Sequence, residues 1–449
     1  MRTAWQKYLT LNVPRYTSYP SALQFTNDVG GDEHARSLRA IGEDEPVSLY
    51  VHIPFCRQLC YYCGCNMRVE NSDQRIRSYV DDLIDEIAII GGTLSGRSAL
   101  SHIHFGGGTP NILSGADVRR LLTAVEAVFG TLDTVPIAME VDPRLSNADQ
   151  ITDLVELGVK RFSIGVQDLD AKVQKAINRI QPPSMVRSCV QDLRQAGVSD
   201  ISLDVLYGLP HQTLCTFRRT IDEVVKLAPD RVSLFGYAHM PSKLPHQRLI
   251  PEEMMPARSL RHVLAEDAAL RLESAGYERI GFDHFARPGT AIAEAAHGQR
   301  LNRNFQGFTE DQAGIVIGVG ASAISSVHGL IVQNDKNLPA YRDKIARGQL
   351  PVAKGVVASA RDQDIGEWLK RLLCDMRGSM DAYLDAIDGS GAEQSQVMER
   401  LLPLVADDIV AIEGDDIVIH PDARPLARVV AATFDPYALG QSRFASPAV

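Results

Sequence analysis

No run of about 18 consecutive apolar residues occurs in the 449-residue chain, so no membrane-spanning helix is expected. The amino terminus, Met-Arg-Thr-Ala-Trp-Gln-Lys-Tyr, has neither an apolar core segment nor a small-residue cleavage site, and the expectation is a soluble, cytoplasmic protein. Positive charge is short: 46 Lys and Arg against 56 Asp and Glu leave −10, which excludes a basic nucleic-acid surface over the whole chain but not a local cationic pocket. Cysteine is sparse outside one stretch. Cys189, Cys215 and Cys374 stand isolated, as expected of free thiols in a reducing compartment, buried in a core. What remains is 45% hydrophobic, enough for a sizeable core in about two or three domains.

The other four cysteines lie together in Ser48 to Asn66. Cys56, Cys60 and Cys63 follow a short apolar run in CxxxCxxC spacing, and Cys65 comes two residues later. Such a loop can fold three thiolates around one face of a cubane, and the neighbouring aromatics would shield it. Zinc is the first competitor. No second CxxC and no HxxxH lies downstream to complete four ligands, although Cys65 could supply the last one. A disulfide is the weakest alternative. Three ligands leave one iron open for a small molecule, and the loop resembles that of the radical S-adenosylmethionine superfamily. That resemblance implies a [4Fe-4S] cluster whose open iron holds the amino and carboxylate groups of S-adenosylmethionine.

Residues 1–45 carry little periodicity beyond Arg15-Tyr16-Thr17-Ser18-Tyr19-Pro20, and are expected to form an arm. From residue 48, apolar β-rich runs at 48–53, 102–105, 136–141, 160–165, 201–206 and 231–236 alternate with amphipathic stretches near 74–91, 114–129, 147–157, 184–196 and 213–227. Six βα units predict an α/β fold, a partial (β/α)6 barrel with helices outside and chemistry at the carboxyl ends of the strands. Polar residues recur at those ends: Gly106-Gly107-Gly108-Thr109-Pro110, Glu140-Val141-Asp142-Pro143, Gly165-Val166-Gln167-Asp168, Asp204 to Pro210, and Tyr237-Ala238-His239. Any one could be a helix cap or a tight turn. Their repetition favours a site. The expected domains are an arm at 1–45, the barrel and its extension at 46–355, and a mostly helical, winged-helix-like domain at 356–449. The last is acidic around Asp407 to Asp416, which argues for a cover over the site and against DNA binding.

Taken together, Tyr16 to Pro20, Tyr50 to Cys56, the CxxxCxxCGC loop, GGGTP, Glu140 to Pro143, Gly165 to Asp168, Asp204 to Pro210 and His284-Phe285-Ala286-Arg287-Pro288 closely resemble the oxygen-independent coproporphyrinogen III oxidases over nearly the whole chain. The resemblance implies that Cys56, Cys60 and Cys63 ligate the cluster and that Cys65 does not. It implies two S-adenosylmethionine molecules, one against Tyr50, Gly107, Glu140 and Ile324, the other against Tyr62, Gly108, Thr109, Gln167, Arg179, Asp204 and Ala238. No acid–base residue is assigned. The implied partners are coproporphyrinogen III and an electron donor such as a flavodoxin or ferredoxin, acting on a monomer. Arg15, Arg287 and Arg303 are the expected cations for the substrate propionates. Rival readings are a related haem-binding chaperone, which generally lacks Cys65 and the Tyr-Thr-Ser-Tyr-Pro arm, a radical enzyme acting on another tetrapyrrole, and a zinc or purely structural barrel.

Overall fold

A computed structural model describes residues 3–96, 98–387, 389, 391–438 and 446–447. Six parallel strands, β1 (Val47–Ile53), β2 (Leu100–Gly107), β3 (Ile137–Val141), β4 (Val159–Gln167), β5 (Asp200–Tyr207) and β6 (Arg231–Gly236), stand in consecutive order. They are separated by α1 (Asp73–Thr93), α2 (Gly115–Phe129), α3 (Ala148–Glu156), α4 (Pro183–Gln195) and α5 (Leu214–Leu227), and α6 (Arg258–Ser274) follows β6. The expected strands and helices are therefore present, each end within two residues of the expected bound. Helix starts follow local chemistry: Ser72, Ser114, Asn147 and Thr213 each accept a backbone N–H of the first turn, and Pro183 opens α4.

The sheet continues on both sides. Antiparallel β7 (Glu278–Ile280) and β8 (His284–Ala286) extend it beyond β6. On the other side β9 (Ile315–Val319) runs parallel to β1 and leads into the antiparallel β10 (Ile324–Val327), β11 (Leu330–Asn334) and β12 (Val352–Val357). The twelve strands end at β7 and β12, which do not pair, so the barrel is open.

Alternation along the strands sorts the two faces. Phe162, Ile164 and Val166 of β4 are buried against the helices, as are Leu49, Val51 and Ile53 of β1 and Leu203 and Val205 of β5. The opposite face is polar: Arg161, Ser163 and Gln167 on β4, His102 and His104 on β2, Asp200, Ser202 and Asp204 on β5. At the amino-terminal ends of the strands this face is closed by Glu310, which binds Arg231 and Arg161, while Asp311 accepts Ser48 and Ser101 hydroxyls.

The carboxy-terminal region has helices Ala360–Asp375, Met380–Ala386 and Gly391–Ala406, a three-stranded antiparallel sheet and a final helix Ala427–Thr433. The amino-terminal segment does not behave as one arm. Trp5, Tyr8, Leu9, Val13 and Tyr16 enter the carboxy-terminal core, whereas Val29, Leu38 and Ile41 join the core beneath the sheet. Among the described residues, no helix is long and apolar enough to cross a membrane.

Candidate active site

The cysteine loop leaves the carboxyl end of β1. Phe55–Cys56 pairs in parallel with Arg68–Val69, so the loop closes on itself and holds its thiols over the strand ends. Cys56 and Cys60 are buried, Cys63 is half-buried and Cys65 is exposed. All four line a cavity of ≈ 580 Å³ together with the strand-end residues. Thr109 donates its hydroxyl to Cys56 Sγ at 3.1 Å, and the Cys65 N–H points to Cys63 Sγ at 3.4 Å. Arg144 Nη2 and Arg179 Nη1 reach Cys60 Sγ at 3.5 and 3.6 Å.

The donor set fits an iron–sulfur cluster. Burial pushes the Cys56 thiol up to about 12 despite the Thr109 donor, so a thiolate there needs a positive partner, which iron provides. Hydrogen bonds from Cys65, side chain first, pull the Cys63 thiol down to about 7. Among the described residues, no three His, Cys, Asp or Glu side chains converge closely enough for a single metal ion. A cluster does not require that, because each thiolate binds a different iron.

The glycine turn after β2 is shaped by close approach. Gly107 has φ 118°, and a Cβ there would meet the His52 ring at 2.6 Å. A Cβ on Gly108 would meet Phe55 O at 2.9 Å and Cys56 Sγ at 3.1 Å. His52 itself is fixed by Tyr50 Oη on Nδ1 (3.0 Å) and by Asn66 O and Ser322 Oγ on Nε2 (3.1 and 3.3 Å), and burial holds it neutral by lowering its pKa. The histidine thus locks cysteine loop, glycine turn and β9–β10 turn together.

Glu140 projects from β3 with its side chain 40% exposed, and its Oε2 accepts the Gly107 N–H at 3.1 Å. Asp142 is buried between Arg144 (2.6 Å) and Arg179 (3.1 Å), which hold its carboxyl below the usual range against the upward push of burial. Arg179 also donates to Gly165 O (2.8 Å) and Gln181 Oε1 (2.9 Å). Gln167 sits beyond an irregularity in the β4–β5 register, at φ 63°, which turns it into the cavity. Asp204 accepts Ser163 Oγ at 2.9 Å, and burial raises its carboxyl to about 6.

Of the expected cofactor contacts, Tyr62, Gly107, Gly108, Thr109, Glu140, Gln167, Arg179, Asp204 and Ala238 line the cavity. Tyr50 and Ile324 do not. Tyr50 stands behind Phe305, whose ring meets it edge-on at 4.7 Å, and Ile324 lies one strand further, across Gly318, which is in register with Tyr50. Arg15 and Arg303 also line the cavity. Arg287 is a correction. It is exposed and follows Ala286, which pairs with Arg231 at the start of β6, so it lies at the opposite end of the sheet, over the Tyr277 ring.

Sequence reasoning missed several groups. Gln247, fully buried, donates to Tyr62 O (2.9 Å), and His246 Nε2 meets Cys63 O (2.7 Å), so a short helical turn after β6 braces the cysteine loop. Arg144 carries only its place two residues after Asp142 as a signal. Arg428 lines the cavity from nearly the end of the chain and has no motif around it.

An open parallel sheet with a three-thiol loop at the carboxyl ends of its strands defines a radical S-adenosylmethionine enzyme, and residues 50–224 match the Radical SAM superfamily. The chain is 40% identical over 426 residues to an oxygen-independent coproporphyrinogen III oxidase of Bradyrhizobium diazoefficiens, covering 94% of each chain. It is 36% identical to the one of Pseudomonas aeruginosa, covering 97% of this chain and 96% of that one. Among solved structures it superimposes on coproporphyrinogen III oxidase of Escherichia coli, described as a radical SAM enzyme, with a TM-score of 0.89 at 34% identity, over 94% and 97% of the two chains. The chain belongs to the oxygen-independent coproporphyrinogen III oxidases, a family of radical SAM oxidoreductases that use a [4Fe-4S] cluster and S-adenosylmethionine.

Proposed function

We propose that this chain catalyses oxidative decarboxylation of two propionate side chains of coproporphyrinogen III to vinyl groups, giving protoporphyrinogen IX in haem biosynthesis without oxygen. The observation that carries the reading is the set of three loop thiols facing one cavity whose wall also presents strand-end polar groups and arginines. Cys56, Cys60 and Cys63 hold the [4Fe-4S] cluster. Bound together, cluster and S-adenosylmethionine would supply a 5′-deoxyadenosyl radical, the chemistry needed to take a hydrogen from a propionate β-carbon.

The chain's own groups bind, orient and exclude water. We assign one S-adenosylmethionine to Tyr50, Gly107, Glu140 and Ile324. A second goes to Tyr62, Gly108, Thr109, Gln167, Arg179, Asp204 and Ala238. The clustering of nine of these residues around one cavity supports the assignment. Glu140 already accepts an N–H and has exposed surface left for an ammonium group. Arg179 is committed to Asp142, Gly165 and Gln181 but lines the cavity, where its charge favours a carboxylate. Arg15 and Arg303 are proposed to meet the propionates. The enzyme is proposed to act as a cytoplasmic monomer reduced by a flavodoxin- or ferredoxin-like donor.

The test is anaerobic conversion of coproporphyrinogen III with S-adenosylmethionine and a reductant, using brown protein that carries about four irons per chain. Tight haem binding without turnover, or colourless protein with stoichiometric zinc, would reject the reading.

A further inference from the structure

A porphyrinogen brings two kinds of polar group into a cavity. Its propionates are anions, but its centre carries pyrrole N–H donors, and a donor taken out of water needs an acceptor. The carboxyl groups that line the cavity are those of Glu140, Asp142, Asp204, Glu266 and Asp283. Glu140 accepts the Gly107 N–H and Asp204 the Ser163 hydroxyl, and both stand among the residues assigned above to S-adenosylmethionine. Asp142 is closed between Arg144 and Arg179. Glu266 and Asp283 remain, and they differ in charge. Burial raises the Glu266 carboxyl. Burial pushes Asp283 up as well, but His284 above all, then Arg303 more weakly, hold it below the usual range.

Backbone and side chain both fix Asp283. Its carbonyl accepts the Leu234 N–H at 2.8 Å, which sets it beside β6, one residue before β8. Its Oδ1 lies 2.7 Å from His284 Nδ1, and since an ionised carboxylate only accepts, Nδ1 donates. Oδ2 has no hydrogen-bond partner among the described residues and is not sealed within the protein. The side chain is 18% exposed and lines the cavity. His284 is itself confined: the Phe235 and Phe308 rings each meet it edge-on at 5.4 Å, and a Cβ on Gly307 would lie 3.1 Å from its ring. One carboxylate oxygen is thus anchored and the other is left for a ligand. Phe282, next to Asp283 in the chain, lines the cavity with Phe235 and Phe305 and adds apolar surface suited to a macrocycle.

Resting on the function proposed above, we propose that Asp283, oriented by His284, accepts pyrrole N–H groups of the porphyrinogen and thereby selects the reduced macrocycle. The saturated bridges of a porphyrinogen let its rings tilt, so that N–H groups turn toward one carboxylate and form charge-assisted hydrogen bonds. In the oxidised porphyrin the ring is planar and the N–H groups that remain point into its own centre. The same carboxylate therefore gains little from the oxidised ring, although both molecules carry the same propionates. Asp283 touches the substrate in this scheme, and His284 is a positioning residue acting through it.

The experiment measures anaerobic KM and kcat for coproporphyrinogen III, and the inhibition constant of coproporphyrin III, the oxidised tetracarboxylate, in wild type, Asp283→Asn, His284→Phe and His284→Asn. Asp283→Asn keeps the size of the side chain and an acceptor for His284 but removes the charge. Loss of a charge-assisted contact predicts a KM for coproporphyrinogen III roughly 10- to 100-fold higher, with little change in kcat. The inhibition constant of coproporphyrin III and the KM for S-adenosylmethionine should stay within about twofold of wild type. His284→Phe, which fills the same space without the orienting N–H, should give a smaller rise of the same kind, and His284→Asn, which restores a donor, should recover part of it. His284→Phe carries the test should Asp283→Asn fail to fold. A KM for coproporphyrinogen III within about twofold of wild type in the folded variant overturns the proposal. So does a parallel loss of affinity for coproporphyrin III, the mark of a disturbed propionate site, or a fall confined to kcat. A wild type that does not convert coproporphyrinogen III overturns the underlying function instead.

Discussion

Glu310→Gln tests the polar floor of the barrel. Arg231 donates to both carboxylate oxygens, Nη1 to Oε2 at 2.9 Å and Nη2 to Oε1 at 2.8 Å, and Arg161 Nη1 adds a third contact at 3.2 Å. Arg231 also holds Asp200 at 2.6 Å, so the amide leaves two largely buried guanidinium groups with that single carboxylate between them. A pair at about 3 Å in an effective dielectric of about 20 attracts by roughly 5 kcal/mol before desolvation, and one-sided removal of a buried partner costs about 3–5 kcal/mol. The Glu310 side chain is 25% exposed and glutamine keeps one acceptor, so about 2–4 kcal/mol of lost stability is expected. The two tryptophans, Trp5 and Trp368, both lie in the carboxy-terminal core, so their fluorescence follows that unit while far-UV circular dichroism follows the sheet. Urea titration should show the dichroism midpoint falling more than the fluorescence midpoint. Arg231 and Arg161 hold the carboxyl far below its usual range against the opposing effect of burial. A depressed carboxyl stabilises fully above its unfolded value of about 4.3 and loses that contribution as pH falls toward its folded value. The gap between wild type and variant should therefore be flat above about pH 5 and close below about pH 4. A gap under about 0.5 kcal/mol at neutral pH, or one that widens on acidification, would refute the reasoning.

Other outcomes follow from the cysteine loop and its surroundings. Cys56→Ser, Cys60→Ser or Cys63→Ser should each abolish the intact cluster and its brown absorption band, whereas Cys65→Ser should retain it; loss in Cys65→Ser would mean that the ligand set is wrong. Gly107→Ala forces a Cβ to 2.6 Å from His52 at φ 118° and should lower stability by roughly 2–4 kcal/mol, read by thermal unfolding. Arg287→Ala should leave KM and turnover unchanged, since it lies at the far end of the sheet. Arg303→Ala should raise KM for the tetrapyrrole on the order of 10- to 100-fold.

Local signals carried far in this chain. Apolar β-rich runs located the six consecutive parallel strands β1 to β6, and the polar clusters that close them lie where a parallel sheet must gather its strand ends, so nine of eleven expected cofactor contacts meet at one cavity. Direction of chain is where sequence reasoning failed. Arg287 is expected at the site from its charge and the motif around it, but it follows β8, which is antiparallel, so the end of that strand lies at the opposite side of the sheet. Long-range assembly was equally hidden. Nothing near Trp5 or Tyr16 says that they enter a core with Leu372 and Phe434, because the partners lie hundreds of residues away. Gln247 and Arg428 belong to the same class: each acts on the site through the fold's closure, with no motif of its own.

The polarity of the inner face links these observations. Parallel strands are ordinarily apolar on both sides, yet here Ser163, Gly165 and Gln167 of β4, with Glu140 and Asp204 beside them, turn polar surface into the barrel where the cavity needs it. The same alternation, continued toward the strand starts, gathers the buried Arg231 with the half-buried Arg161 and Asp200, which no ligand at the other end can satisfy. A plug must neutralise them, and Glu310 does so. The segment that supplies the plug also carries Arg303 and Phe305, and Asn302 Nδ2 bonds Asp311 O at 2.9 Å to tie its two ends. Charge balance at the floor and placement of the cavity arginine are therefore properties of one short stretch. A variant that weakens the floor should shift substrate KM as well as stability, even though Glu310 does not line the cavity.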